Sequence, residues 1–209
     1  MSIVSSPDAL DRIFNDAINE GLEGVMAKDL NAPYIAGARK FSWIKMKRSY
    51  RNKLEDSLDL VIVGYYLGRG QRAEFGFGGL LAAAYNDSDD TFETVTRIGT
   101  GFSDDLMKEF KRELDRVKVK SKPARVVSLV KPDFWVEPRF VVTVNADEIT
   151  RSSLHACGMK SSEGDGAQGY ALRFPRLVGE GFRHDKNPED ATTTTEVMGL
   201  FAMQKKAKA

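Results

Sequence analysis

The segment Trp43-Ile44-Lys45-Met46-Lys47 places two lysines at alternate positions, separated by one apolar residue. In an extended strand, residues two apart point to the same side, so Trp43, Lys45 and Lys47 share one face. Ile44 and Met46 then share the other face and can enter a core. Two neighbouring ammonium groups repel each other unless an anion lies between them, and a phosphate suits that position. The spacing therefore predicts a phosphate-binding strand, and the alternative is a solvated edge strand protected by its lysines.

A second group of cations lies in the stretch 170–186, which is rich in arginine. Arginine presents a planar fork that binds phosphate oxygens with two donors, so these residues suit a polyphosphate or a nucleic-acid backbone. The alternative is a set of surface ion pairs with nearby acids. The cations are Arg173, Arg176, Arg183 and Lys186, and the acids are Asp185, Glu189 and Asp190.

Glu23 and Lys28 bracket the short apolar run 24–27, which is predicted to form a buried strand. The two residues are five positions apart, so on a regular strand they face opposite sides. They can serve one site only if one of them lies at a strand end or beyond a bulge.

Composition narrows the class of protein. The chain is 42% hydrophobic and 29% charged, which is ordinary for a soluble globular protein. It contains no apolar run long enough for a membrane span, and its first residues lack the features of a signal peptide. The single cysteine, Cys157, excludes an intrachain disulfide, and with only two histidines, His155 and His184, the sequence argues against a Cys/His zinc site.

The net charge of +1 conceals one strongly basic segment, residues 108–131. This segment holds nine basic and three acidic residues. A local basic patch on a nearly neutral chain favours a polyanionic partner that is bound on one face. The alternative is a solvated helix face.

The elements that must position these residues follow from periodicity and turn signals. A helix is predicted over 5–20, capped by Ser6, and the charged stretch 51–57 is predicted to be a hinge or linker. Beyond it, strands are separated by one helix that begins after Ser103, and a final helix lies in the tail. The predicted strands are 58–68, 78–86, 91–99, 134–150 and 170–179. Five strands with one helix between the third and the fourth indicate an OB-type Greek-key barrel.

Taken together, these segments resemble the C-terminal portion of an ATP-dependent DNA ligase of the archaeal and eukaryotic type. "EGVMAK" (23–28) resembles the fourth nucleotidyltransferase motif of that family and "WIKMK" (43–47) the fifth, with "APYIAGARKFSW" between them. "LDLVIVGYYLGRGQRAEFGFGGLLAAAY" (58–85) and "RIGTGFSDD" (97–105) are similar to the opening of the family's OB domain. "LRFPR…FRHDKNPEDATTTTEV" resembles its final motif and C-terminal signature.

The resemblance implies a domain organisation and a fold class. The fold is mainly β with helices (α+β), with an OB-fold barrel preceded by a C-terminal piece of a nucleotidyltransferase (adenylation) domain. The implied boundaries are 1–50 for the adenylation piece, 51–57 for the hinge and 58–209 for the OB domain with its C-terminal helix.

The resemblance also implies a nucleotide site for ATP and Mg²⁺. Lys45 and Lys47 would hold the α-phosphate, Arg39 would contact the nucleotide and Lys28 would line the same pocket. Glu23 would help to bind a magnesium ion, directly or through water.

The final motif implies roles for residues of the OB domain. Arg183 and Lys186 would orient the departing pyrophosphate, Asp185 would order their loop, and Trp43 would support the nucleotide site. The basic surface is expected to contact DNA phosphates. The candidate DNA contacts are Arg69, Arg72, Lys118, Lys120 and Lys122.

Two departures from the family pattern matter. The nucleophilic lysine of the family lies in a K-x-D-G motif, and the nearest match here, Lys131-Pro132-Asp133-Phe134, lacks the glycine and lies among the OB strands. We therefore expect that this chain alone does not form the lysyl-adenylate. In addition, two more residues than the family pattern separate the Phe-Pro-Arg from the Arg-x-Asp-Lys.

The expected function is that of part of an enzyme, an ATP-dependent DNA ligase that seals nicks in duplex DNA through lysyl-AMP and DNA-adenylate intermediates. The expected partners are nicked double-stranded DNA, N-terminal adenylation and DNA-binding portions, and a sliding clamp. The expected location is cytoplasmic and nucleoid-associated, or nuclear in a eukaryote. The alternatives are a stand-alone OB-fold nucleic-acid-binding module and a fragment of an mRNA-capping or RNA ligase nucleotidyltransferase.

Overall fold

The computed structural model describes residues 2–33, 43–47, 57–159 and 168–206. The chain divides into two compact units, Met1–Lys53 and Leu54–Ala209, and each is described by itself. Arg39 and nearly all of the predicted hinge lie outside the described residues.

The first unit begins with helix α1, Pro7–Asn19. Ser6 caps it by accepting a hydrogen bond from the Ala9 N–H at 3.2 Å, as the sequence predicts. Phe14 and Ala17 are buried on one face of the helix, because the apolar residues recur at helical spacing.

Two strands complete the described part of this unit. β1 (Gly24–Lys28) pairs antiparallel with β2 (Trp43–Lys47). The prediction that β1 is buried is wrong within this unit, since Met26 is 43% exposed and Lys28 is exposed. Ile44 is likewise 49% exposed and does not enter a core of this unit.

The second unit opens with three antiparallel strands: β3 (Leu58–Tyr66), β4 (Gly79–Asn86) and β5 (Thr91–Ile98). A 3-10 helix, Gly70–Phe75, connects the first two. The strands read as continuous apolar runs because both faces of the sheet are covered. One face contributes Leu60 and Ile62 to the main core cluster, and the other contributes Val61 and Val63 to a second cluster.

Helix α2, Asp104–Arg116, follows the third strand. Ser103 caps it, accepting from the Leu106 N–H at 3.3 Å. Phe110 and Leu114 are fully buried against the main core, so one face of α2 packs on the barrel.

The remainder of the unit consists of short strands and a final helix. They are β6 (Lys118–Val119), β7 (Val126–Val127), β8 (Phe134–Val136), β9 (Val141–Asn145), β10 (Glu148–Ser152), β11 (Gly169–Arg173), β12 (Arg176–Phe182), a 3-10 helix (Pro188–Asp190) and α3 (Thr194–Lys206).

Two predicted strands are divided in the structure. The stretch 134–150 forms three strands, because Pro138 lacks the N–H that a ladder needs and the chain turns again after Asn145. The stretch 170–179 forms two strands that join different sheets. The break lies at Phe174, whose φ of 52° places it in the left-handed region before Pro175.

The sheet of the second unit curls into a barrel with the order β12-β9-β3-β4-β5-β7. The Leu177 N–H in β12 donates to the carbonyl of Thr100 at 3.0 Å, just after the end of β5. Strand β3 thus pairs with β4 and β9, while β12 reaches from β9 towards β5. With α2 between the third and the fourth barrel strand (β5 and β9), this arrangement confirms the mainly β, OB-type fold class.

Within the described residues, no helix is long and apolar enough to cross a membrane.

Candidate functional site

The register of the β1–β2 hairpin decides which side chains share a face. Met26 lies opposite Lys45, and Lys28 lies opposite Trp43. Residues directly opposite each other in an antiparallel pair point to the same side of the sheet. The hairpin therefore brings Lys28 from the first predicted motif to the same face as Lys45 from the second.

The lysine of the first strand is held by an aromatic ring. Lys28 Nζ lies 4.0 Å from the centroid of the Trp43 ring, which is a cation–π contact. Trp43 is 43% exposed, and Lys28 and Lys45 are exposed as well. The contact with the ring limits where the Lys28 ammonium group lies, as the predicted supporting role of Trp43 would require.

Glu23 lies immediately before β1 and outside its pleat. The strand begins at Gly24, whose φ of 145° lies in a region that L side chains rarely adopt. The strict alternation that would separate Glu23 from Lys28 therefore does not apply. The backbone of Lys47 pairs with Gly24, which brings the last residue of the second motif beside the first motif.

A metal ion requires suitable donors. The described residues contain no group of three His, Cys, Asp or Glu side chains that could hold one. Mg²⁺ is commonly held by one or two carboxylates together with substrate phosphates, so the single carboxylate of Glu23, next to the hairpin that carries Lys28 and Lys45, is compatible with its predicted role.

In the second unit, the residues of the final predicted motif come together at one carboxylate. Arg183 Nη1 lies 3.2 Å from both oxygens of Asp59, and Lys186 Nζ lies 2.6 Å from its Oδ2. The Thr143 hydroxyl donates to Asp59 Oδ1 at 2.6 Å. Asp59 lies near the start of β3, far from the motif in sequence, and no sequence pattern singled it out.

Arg183 also forms a two-pronged ion pair with Asp185. Its Nε and Nη2 donate to the two oxygens of that carboxylate at 2.8 and 2.7 Å. These hydrogen bonds lower the pKa of Asp185 to about 2, and together with the charge of Asp59 they raise the pKa of Arg183 above its usual range. Both groups therefore stay charged at neutral pH.

The pKa of Asp59 is set by opposing effects. Burial alone would raise the pKa of the carboxyl, since its side chain is only 14% exposed. Hydrogen bonds from Lys186 and Thr143 and the charges of Lys186 and Arg183 outweigh that cost, so the pKa lies below its usual value.

Strand β12 bulges just before Arg183, in the stretch that is predicted to be two residues longer than the family pattern. Leu177 pairs with Val144 and Phe182 pairs with Val142, so β12 advances five residues while β9 advances two. Gly179 (φ 80°) and Gly181 (φ 114°) supply the backbone conformations that the bulge needs. The Arg183 N–H then donates to the Val141 carbonyl at 2.8 Å, which fixes where the arginine side chain begins.

The basic segment 108–131 has a paired part and an exposed part. The cations of α2 pair with acids of the same helix, as in Lys108–Asp105 and Arg116–Glu113. Lys120 and Lys122 lie beyond the helix, are exposed and have no ion-pair partner among the described residues. The exposed positive charge is therefore concentrated after α2.

The other candidate DNA contacts differ in their surroundings. Lys118 lies 4.5 Å from the centroid of the Phe134 ring and 3.8 Å from Asp115. The Arg72 guanidinium donates to the Gly99 carbonyl at 2.6 Å, which ties the first 3-10 helix to the end of β5. Arg69 is exposed at the start of that helix.

The sequence analysis missed an exposed aromatic residue among the arginines. Phe174 is 50% exposed in its left-handed conformation, and the Arg173 guanidinium lies 5.0 Å from its ring centroid. Phe174 lines a surface groove together with Arg97 and Arg176. Strain in an exposed aromatic residue beside cations marks a candidate binding surface, and a Phe-Pro dipeptide within an arginine-rich stretch was the available signal.

Comparison with known proteins agrees with these motifs. Residues 1–47 match the family model described as ATP dependent DNA ligase domain, and residues 73–186 match ATP dependent DNA ligase C terminal region. A probable DNA ligase of Dictyoglomus turgidum is 52% identical over 99% of this chain. A DNA ligase of Caldivirga maquilingensis is 44% identical over 99% of it.

Among solved structures, the ligase domain of LigD from M. tuberculosis matches with a TM-score of 0.49 and 26% identity, covering 87% of this chain and 51% of that chain. The chain spans about a third (34%) of the length of the curated relatives named above. The two family models lie in order along the chain and match more than half of it, and the chain belongs to the ATP-dependent DNA ligase family.

Proposed function

We propose that this chain supplies part of the nucleotide pocket and the OB-fold unit of an ATP-dependent DNA ligase that seals nicks in duplex DNA. The observation that carries the proposal is the hairpin register, which places Lys28 and Lys45 on one face. A face that carries neighbouring ammonium groups and an exposed tryptophan is better explained by the binding of a nucleoside triphosphate than by a solvated edge strand.

In the proposed first step, ATP transfers its adenylyl group to a lysine and pyrophosphate leaves. Negative charge develops on the phosphate oxygens, and fixed cations stabilise that charge. Lys45 and Lys47 hold the α-phosphate, while Lys28 and Arg39 contact the nucleotide. Glu23 would help to hold Mg²⁺, which would supply further positive charge to the phosphates.

The Arg183–Lys186 segment serves the same step from the OB-fold unit. A planar guanidinium and an ammonium group, both held charged at neutral pH, suit the departing pyrophosphate. Asp185 occupies the Nε–Nη2 fork of Arg183 with the two-point geometry that a phosphate group adopts on arginine.

For DNA, we propose that the OB-fold unit uses its exposed cations and Phe174. Lys120 and Lys122 supply phosphate contacts, which position a protein on a duplex without reading its sequence. Phe174 and Arg173 together present an aromatic ring and a positive charge, which suit contact with the edge of a DNA groove at a nick. We include in the same proposal a sliding clamp as a further partner and a location at chromosomal DNA.

The test is a chimera in which this chain replaces the matching 34% of the Dictyoglomus turgidum relative. The chimera should seal a nicked duplex in the presence of ATP and Mg²⁺. Because the sequence contains no K-x-D-G motif, the chain alone should give no covalent band with labelled ATP. A labelled band from the chain alone would contradict the proposal that this chain does not form the lysyl-adenylate by itself. Competition of GTP with ATP in the chimera would favour a capping-type enzyme.

The second candidate is a nucleic-acid-binding module that acts without adenylation. The exposed Phe174 among arginines favours it, since base–aromatic stacking and phosphate contacts suffice for such binding. It predicts that the whole chain binds DNA with a steep dependence on salt and that the chimera seals nothing.

A further inference from the structure

Asp59 binds both cations of the Arg183–Lys186 segment, although more than 120 residues separate it from them in sequence. We propose that Asp59 is a positioning residue, which holds the side chains of Arg183 and Lys186 ready to bind the departing pyrophosphate. This inference rests on the proposed ligase function. It names a barrel residue, Asp59, that positions the cations of the final motif.

The Asp59 backbone is fixed on both of its polar groups. Its N–H donates to the Thr192 hydroxyl at 3.0 Å, and its carbonyl accepts from the Thr192 N–H at 2.8 Å. The carboxylate is held as well, because the Thr143 hydroxyl donates to Oδ1 at 2.6 Å. Two hydrogen bonds to its backbone and one to its carboxylate therefore hold Asp59, so that it can set the position of the cations that bind to it.

The two acids around Arg183 differ in exposure. The Asp185 side chain is 65% exposed and occupies the Nε–Nη2 fork, whereas the Asp59 side chain is 14% exposed and binds Nη1. A phosphate entering from solvent meets the fork and replaces the exposed carboxylate first. Asp59 then remains on the far side of the guanidinium and keeps Arg183 in place.

Lys186, like Arg183, is bound by Asp59 on one side and is open to solvent on the other. Its ammonium group carries three donors, and Asp59 Oδ2 takes one of them at 2.6 Å. The Lys186 side chain is 31% exposed, so the other donors can reach an entering phosphate. One buried carboxylate therefore fixes both cations and leaves each with an open side.

The test uses the chimera with the Dictyoglomus turgidum relative and the variant Asp59→Asn, which keeps the shape and an acceptor for Thr143. Two single-turnover rates are measured, namely adenylation of the enzyme by ATP and sealing of a pre-adenylated nick. Adenylation should slow about 10- to 100-fold, the range for losing a hydrogen bond to a charged partner. Sealing releases AMP and no pyrophosphate, so its rate should stay within about twofold.

A double variant separates positioning from general stability. Because Asp59 acts through both cations, Asp59→Asn should slow adenylation less in a chimera that already carries Lys186→Met than in the unaltered chimera, and the remaining effect acts through Arg183. Asp90→Asn is the matched control, since Asp90 also pairs with an arginine, Arg125, outside this cluster. It should leave both rates unchanged.

The outcomes distinguish the inference from the function on which it rests. An unaltered chimera that neither adenylates itself nor seals a nick overturns the proposed function. An active chimera in which Asp59→Asn slows both steps equally, or slows neither, overturns the positioning role alone. Additive effects of Asp59→Asn and Lys186→Met would also overturn it.

Discussion

Replacing Lys45 by alanine should slow adenylation because one ammonium group leaves the phosphate-binding face. Lys45 lies opposite Met26 in the hairpin, on the face that carries Lys28 and Trp43. A hydrogen bond to a charged partner contributes about 1.5–3 kcal/mol, which corresponds to a rate loss of about 10- to 150-fold. Because Lys45 is proposed to meet charge that develops during the reaction, the loss should fall on kcat more than on KM for ATP.

The assay is single-turnover adenylation of the Dictyoglomus turgidum chimera at several ATP concentrations. Lys45→Arg should recover part of the rate, since it keeps the charge but presents a planar fork in place of a compact ammonium group. Ile44→Ala is the matched control, because Ile44 lies on the opposite face of the same strand and is 49% exposed. Its effect should stay within about threefold.

Equal losses from Lys45→Ala and Ile44→Ala would refute the assignment of the phosphate to one face of the hairpin. The stretch would then be needed only for the stability of the strand.

Two further predictions concern the fold of the second unit. Gly101→Ala should destabilise it by about 3–5 kcal/mol in urea unfolding, because φ is 91° and a Cβ would lie 2.3 Å from the carbonyl oxygen of Leu177, the residue whose N–H closes the barrel. Gly179→Ala has a similar φ of 80° but nothing within 4 Å, so it should cost only about 1–2 kcal/mol, and an equal cost would contradict the role of the close approach. Burial lowers the pKa of His155 to about 4, so the unfolded chain binds a proton between pH 6.5 and 4 that the folded chain does not. Stability should therefore fall as the pH drops through this window, by at most about 1.4 kcal/mol per pH unit, and His155→Gln should flatten the curve while the exposed His184→Gln should not.

Local patterns predicted the parts of the fold that depend on neighbouring residues. The alternation of Lys45 with apolar residues gave the strand face, because side-chain direction in a strand alternates regardless of distant contacts. Ser6 and Ser103 gave the helix starts for the same reason, since a cap bonds only to the next turn. The OB-type order followed from the sequence of elements.

Contacts between distant segments could not be predicted in this way. Asp59 reads as one polar residue in an apolar strand, and its importance appears only when the barrel brings Thr143 and Arg183 beside it. The burial of β1 was overestimated, because apolar composition does not show which partner covers a strand. The bulge in β12 could not be located from the sequence, because it shows only in the pairing with β9.

Nick sealing by the chimera tests the central claim most directly. A 5′-labelled nicked duplex is incubated with ATP, Mg²⁺ and the Dictyoglomus turgidum relative whose matching 34% has been replaced by this chain. The proposed function predicts a full-length ligated strand, which forms more slowly when Lys45 is changed to alanine. A folded chimera that binds the duplex but forms neither enzyme adenylate nor ligated product would contradict it.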